Sequence, residues 1–419
     1  MKILWIVNTI FPYPSEKLGI KKNCFGGWLN GLANKLKENE KINLAIATVY
    51  YGDKLLEFND GKIIYYLIPG ATALKYDKNI ENYWKEVKEL FKPDIIHIHG
   101  TEFTHGLAYI NANGNKNVIT SIQGLVHKIS NVYTSNIDNK DIIKKITFRD
   151  IIKNDSIYQQ KKKFEKRGLN EIEILKKSNY IIGRTTWDYA NVKAINPDVK
   201  YYIGNETLRE TFYNRNWSID NINRHTLFCS QAGYPIKGFH YLVQALSILK
   251  KKYPDIKLYV AGNNIIDNST FKSRLRKSGY AKYIQSLIKK YEVQEDIIFT
   301  GLLDEEQMLE RLLKTHVFVL PSAIENSSNS LGEAMLLGMP CVASNTGGTM
   351  DILEHKKEGY LYPYTEPAMC AEYISRLFED DNLAINLGKN AQITAKERHN
   401  PEKNVNTILN IYNEILGED

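Results

Sequence analysis

What most limits how this chain can fold is a repeated pattern. Short, nearly continuous apolar runs are separated by spacers long enough for helices. In the first half the runs are residues 3–7 (ILWIV), 43–48 (NLAIAT), 63–68 (IIYYLI), 94–99 (DIIHIH), 117–122 (NVITSI) and 179–183 (NYIIG). In the second half they are 226–231 (TLFCSQ), 256–262 (IKLYVAG), 296–301 (DIIFTG), 315–320 (THVFVL), 340–344 (PCVAS) and 359–362 (GYLY). Runs that are apolar at successive positions belong to strands covered on both faces, as in parallel sheets. Strands alternating with helical spacers wind into doubly wound α/β layers. With 419 residues, the chain exceeds one ordinary core, and the pattern occurs twice.

The expected organisation follows. Residues 1–205 form a first domain, with a basic helical insertion near 128–178. Residues 206–224 are a polar linker, 225–395 a second domain, and 396–419 a final helix. The four cysteines, Cys24, Cys229, Cys341 and Cys370, are scattered without a CxxC pair, so neither a zinc site nor a disulfide framework is indicated and a reducing, cytoplasmic setting is expected. The apolar opening stops at Asn8, which reads as a first strand and not a signal segment. Net charge is +7, and residues 128–167 hold eleven Lys/Arg against five Asp/Glu, a local +6. Such a run is either a solvated face or a surface for a pyrophosphate-linked acceptor or for anionic lipid headgroups at the inner face of the cell membrane. No nucleic-acid-binding motif accompanies it, so nucleic acid is not an expected partner.

The richest chemistry lies between Pro321 and Ser344 (PSAIENSSNSLGEAMLLGMPCVAS). A strand ends at Pro321, a polar loop carries Glu325, and a Ser/Asn run opens an amphipathic helix that carries Glu333. A helix start offers unpaired N–H groups and the positive end of a dipole to an anion. Carboxylates on either side can hold hydroxyls. One anionic end and hydroxyl-rich ends describe a nucleotide sugar. Ser330-Leu-Gly-Glu333 also matches a capping box, in which Glu333 only closes the helix start.

This Glu-x7-Glu spacing, with GMPCVASNTGG after it, resembles the signature of retaining glycosyltransferases of family 4. The resemblance implies the GT-B architecture: two Rossmann-like doubly wound parallel-sheet domains facing across a cleft. The first would serve the acceptor and the second bind the donor, with the last helix crossing back to the first domain. In that family the first glutamate contacts the donor sugar and the second the ribose, roles carried here to Glu325 (with Asn326 beside it) and Glu333. Backbone N–H groups at Ser330 and Leu331 would face the diphosphate. Lys237, in YPIKGF, resembles the family's phosphate-binding lysine. The arginine expected several residues before it is replaced by Ser230 and Gln231, with Arg184 and Arg209 as candidate substitutes. Gly26 and Gly27 resemble the Gly-Gly loop after the first strand, where backbone can approach the donor closely. Gln123-Gly124 stands where the family offers His-Gly; an amide cannot titrate but can hold a sugar hydroxyl, and His127 follows four residues on. Asp351 replaces a usual Glu after Gly347-Gly348. His97 reads as a core residue and His99 as either core or site.

No G-x-G and no D-x-D occurs, which removes the dinucleotide fingerprint and argues against a metal-dependent transferase; no cofactor or metal is expected. The expected activity is retaining transfer of a sugar from a nucleoside diphosphate sugar to a glycan or lipid-linked acceptor, of the kind used in polysaccharide assembly. A sugar-nucleotide epimerase of the same fold, and a non-catalytic nucleotide-binding protein, remain open.

Overall fold

Each apolar run becomes a strand in the computed structural model, which describes residues 1–20, 27–70 and 74–417. Two units result. One comprises Met1–Lys128, Phe164–Leu208 and His399–Asp419; the other comprises Ile129–Lys163 and Arg209–Arg398.

The first unit is built on β1 (Lys2–Ile6), β2 (Asn43–Tyr50), β3 (Leu56–Asn59), β4 (Ile63–Pro69), β5 (Ile95–His99), β6 (Val118–Ser121), β7 (Tyr180–Gly183) and β8 (Lys200–Ile203). They lie in the order β3-β4-β2-β1-β5-β6-β7-β8. All pairings are parallel except β3 with β4. Every residue of β5 is buried, as a strand covered on both faces requires. β3 and β8 lie at the two edges and were not visible as apolar runs, because their residues are partly exposed. Helix Pro401–Leu416 begins with Asn400 capping the Lys403 N–H at 2.9 Å and with Pro401 in its first turn. It buries Ile408, Ile411, Tyr412 and Ile415, spaced i, i+3, i+4, i+7, against Trp5 and other sheet residues. Each such apolar side chain is worth about 1.5–3 kcal/mol when buried.

The second unit carries β9 (Thr226–Cys229), β10 (Lys257–Ala261), β11 (Ile297–Gly301), β12 (Val317–Leu320), β13 (Cys341–Ser344) and β14 (Tyr360–Tyr362). Their order is β11-β10-β9-β12-β13-β14, parallel throughout. The chain reverses its winding direction between β1 and β5 in one sheet and between β9 and β12 in the other. Ligands of open parallel sheets sit beyond the carboxyl ends of strands at such points.

The boundaries differ from the sequence reading in two places. Of residues 206–224, read as a linker, 209–224 pack within the second unit: Phe212 is fully buried, and Trp217 donates its indole N–H to Thr315 O at 2.7 Å. Two anchoring aromatics outweigh the polar composition. The basic stretch is divided, Ile129–Lys163 grouping with the second unit and Phe164 onward with the first.

Candidate functional site

In the second unit the loops after β9, β12 and β13 converge. Lys237 ends a short turn, Pro235–Lys237, after β9. Gly238 follows with φ +65, and a Cβ there would stand 1.8 Å from Pro321 O. Only glycine allows that conformation and that approach together. The contact seats the β9 loop on the end of β12 and brings Lys237 Nζ to 2.7 Å from Glu325 Oε1. Ser322 Oγ donates to the same oxygen at 2.7 Å. From the other side Gly347, at φ +56, would place a Cβ 1.8 Å from Glu325 O, and the Gly348 N–H donates to that oxygen at 2.9 Å. Glu325 is thus held by its backbone while its carboxylate meets a lysine. Burial opposes the Lys237 charge, but the Glu325 carboxylate prevails and holds the ammonium above its ordinary pKa.

The helix beyond is Asn329–Leu336, and its N-cap is Ser328, whose hydroxyl accepts from the Leu331 N–H at 3.4 Å. The capping-box register anticipated at Ser330 and Glu333 is therefore displaced, since the third helical residue is Leu331. Glu333 turns instead to Arg209, whose Nε and Nη2 donate to its two oxygens at 2.7 Å each. Burial pushes the Glu333 carboxyl above the usual carboxylate range, with the guanidinium opposing it. Arg209 also lies over the Phe212 ring, 4.7 Å from its centroid. Ser230, at the place of the missing arginine, reaches Ser330 Oγ at 3.1 Å and so stands at the helix start. Asn326 is buried nearby in sequence, Leu331 is a core side chain, and Asp351 is exposed.

In the first unit Arg184 follows β7 and is nearly buried. It pairs with Glu206 at 2.8 Å and donates to Ile122 O at 2.7 Å and Gln123 Oε1 at 3.1 Å. Its charge is thereby committed within this unit. His127 places Nδ1 2.6 Å from Glu171 Oε2 and donates its backbone N–H to the same oxygen at 2.9 Å. Glu171 is fully buried and also accepts from Thr101 Oγ1 at 2.6 Å. Gly27 opens helix Gly27–Leu36, while Gly26 lies outside the described residues. His97 is a core residue bonded to Tyr412 Oη at 2.5 Å and Ser121 Oγ at 2.6 Å. His99 stacks on it at 3.7 Å and borders a cavity of about 30 Å³ shared with Gln123, Arg184 and Glu206. Burial holds both rings neutral.

Three carboxylates here escaped sequence reasoning: Glu102, Glu171 and Glu206. Of these, Glu102 was within reach of sequence reasoning, because it stands in the loop just beyond the carboxyl end of β5 at His99. It accepts from Asn8 Nδ2 at 3.3 Å, and burial pushes it up to about 7. Among the described residues, no group of three or more His, Cys, Asp or Glu side chains is placed to hold a metal ion.

Beyond the carboxyl ends of the central strands β9 and β12, the second unit therefore offers a cation and a carboxylate on loops and a helix start whose helix carries a second, guanidinium-held carboxylate. That set suits a ligand with a phosphorylated centre and hydroxyls on either side.

Residues 216–394 match the family described as Glycosyl transferases group 1. The N-acetyl-alpha-D-glucosaminyl L-malate synthase of Bacillus anthracis is 28% identical over 136 residues, 32% of this chain and 35% of that protein. The chain spans about a third to a half of the length of the first curated relatives that it matches. Among solved structures, sucrose-phosphate synthase from Thermosynechococcus elongatus superposes with a TM-score of 0.70 at 15% identity, covering 100% of both chains. Anabaena HepE in complex with UDP and glucose gives 0.66 at 14% identity, covering 99% of this chain and 100% of that one. At these identities the structural likeness is one of fold. It bears out two parallel-sheet α/β units of the GT-B kind, and with the family match it bears out the resemblance to GT-B glycosyltransferases.

Proposed function

We propose that this chain, a GT-B protein matched over residues 216–394 to group 1 glycosyl transferases, is a retaining, metal-independent glycosyltransferase. It moves a sugar from a nucleoside diphosphate sugar to a glycan or lipid-linked acceptor. The observation that carries this reading is the Lys237–Glu325 pair at 2.7 Å, one loop away from the helix start at Asn329. A donor diphosphate competes with Glu325 for the Lys237 ammonium and lies at the Ser330–Leu331 end of the helix dipole. The released Glu325 carboxylate then takes donor-sugar hydroxyls, with Asn326 beside it. Glu333, oriented by Arg209, receives the ribose hydroxyls.

In the transfer step, the bond from the anomeric carbon to the β-phosphate oxygen breaks. A bond from that carbon to the acceptor oxygen forms on the same face, and the acceptor proton passes to the departing phosphate. The protein's work is positioning and stabilising the leaving charge. In the first unit, Gln123 serves as a neutral hydroxyl partner, and His127 is oriented by Glu171. The basic stretch 128–167, at +6, favours peripheral contact with an anionic membrane. No described helix is long and apolar enough to cross one.

The test incubates the protein with a panel of nucleoside diphosphate sugars and mixed glycan and lipid-linked acceptors, with and without a chelator. Transfer that survives the chelator, with the donor's anomeric configuration kept in the product by NMR, is expected. An inverted product contradicts retention, loss of transfer with chelator contradicts metal independence, and donor conversion without acceptor indicates an epimerase.

A further inference from the structure

One helix of the second unit is amphipathic in the reverse of the usual sense. Helix Phe148–Lys153 starts with a capping box between Thr147 and Asp150, bonded at 3.0 and 3.1 Å. Its polar side is the anchored one. Asp150 is fully buried and accepts from the Gly279 N–H at 2.8 Å, and a Cβ on Gly279 would stand 2.9 Å from that carboxylate. Its apolar side faces out. Phe148, Ile151 and Ile152, spaced i, i+3, i+4, are 75%, 64% and 67% exposed, and Ile143 and Ile146 just before them are 61% and 39% exposed. Single exposed apolar residues need no explanation, but five within ten residues mark an interaction surface.

Around the patch Lys140, Lys144 and Lys153 are exposed beside an exposed Asp138 and half-buried Asp141 and Asp155, so the cationic excess lies in the pocket next to it. Arg149, paired with Asp155 at 2.6 Å and Asp150 at 3.2 Å, borders this pocket of about 590 Å³ beyond β10, which is also lined by Lys272, Arg276, Lys277 and Asp267. Lys277 is only 6% exposed and is steadied by Asn268 and by Gln285 Oε1 at 3.2 Å. An apolar helix face beside a cationic pocket matches the two layers of an anionic bilayer surface. A second copy of the chain would bring like charge to this rim.

We propose that this face docks on anionic bilayers. Phe148, Ile151 and Ile152 enter the headgroup–acyl boundary while Lys272 and Arg276 of the neighbouring pocket receive a lipid phosphate. The proposal rests on the membrane reading above, not on the transfer chemistry. It adds an apolar contact that salt does not screen.

The experiment is cosedimentation of the full chain with phosphatidylglycerol-containing and pure phosphatidylcholine vesicles, at about 0.1 and about 1 M salt. Three proteins are compared: wild type, the triple variant Phe148→Ser/Ile151→Ser/Ile152→Ser, and the pair Lys272→Glu/Arg276→Glu. All substituted side chains line the surface or the pocket, and an unchanged melting temperature confirms folding. Wild type is expected to bind anionic vesicles and to keep part of that binding at high salt. The triple variant should lose a hundredfold or more in partitioning, and the charge-reversed pair about tenfold with loss of the anionic preference. A triple variant that binds like wild type, with salt releasing both fully, overturns the insertion while leaving charge-driven contact intact. Wild type that ignores anionic vesicles overturns both readings. A wild-type dimer that the triple variant breaks assigns the face to a second copy and also overturns the proposal.

Discussion

Removing Arg209 probes the site where it is most tightly built. Its guanidinium meets both oxygens of Glu333 at 2.7 Å, and the two side chains are 26% and 8% exposed. Exposed ion pairs contribute about 0–1 kcal/mol, whereas stripping one partner from a buried pair costs about 3–5 kcal/mol. Arg209 is a quarter exposed, which places Arg209→Met at about 2–3 kcal/mol. Glu333→Gln, which leaves the more solvated partner behind, should cost about 1–2 kcal/mol, and the double variant less than the sum. The pH dependence follows from the burial that already raises Glu333. Without Arg209 the folded carboxyl titrates well above its unfolded value of about 4.3. The penalty is then fully present above the folded pKa and relieved as pH falls toward the unfolded one. Urea unfolding of wild type, both single variants and the double variant at pH 7 and pH 5 measures all of this. Strict additivity, or a wild-type-to-Arg209→Met gap that does not narrow at the lower pH, would refute a buried, coupled pair.

Three further changes are informative. Gly238→Ala forces a side chain onto φ +65 and toward Pro321 O at 1.8 Å, so stability should fall by about 3 kcal/mol or more, with weaker nucleotide binding by calorimetry. Glu102, pushed up to about 7 by burial, destabilises the fold above that pH and is relieved below the unfolded carboxylate value, so Glu102→Gln should gain at most about 3 kcal/mol at pH 8 and nothing at pH 4, read as melting temperature. Ser230→Arg places a cation beside the helix start reached through Ser330, and should tighten nucleoside diphosphate binding about tenfold by calorimetry; no change would mean that this position does not face the diphosphate.

The sheets were largely legible because strands such as β5, β9 and β12 are buried at every position and leave unbroken apolar runs. The edge strands β3 and β8 leave none, since partly exposed strands can tolerate polar residues. Residues 209–224 hid their packing in two aromatics, Phe212 and Trp217, within a polar stretch. Lys237 and Glu325 were each legible as site residues because both follow strand ends in recognisable local contexts, whereas their pairing, across 88 residues, was not. Nor was the Arg209–Glu333 pair: the partners are 124 residues apart, and no local pattern announces a long-range ion pair. The helix cap shifted from Ser330 to Ser328 because several Ser and Asn residues compete for that position, and packing of the helix decides among them.

The most direct test of the central claim is a thermal-shift screen of nucleoside diphosphates and their sugars against wild type and Glu333→Ala. A ligand that binds only the native state raises its melting temperature by mass action. The account predicts a shift with one nucleotide series, strongly reduced in Glu333→Ala. A folded wild-type protein that responds to no nucleotide, or a Glu333→Ala variant that responds as fully as wild type, would contradict it.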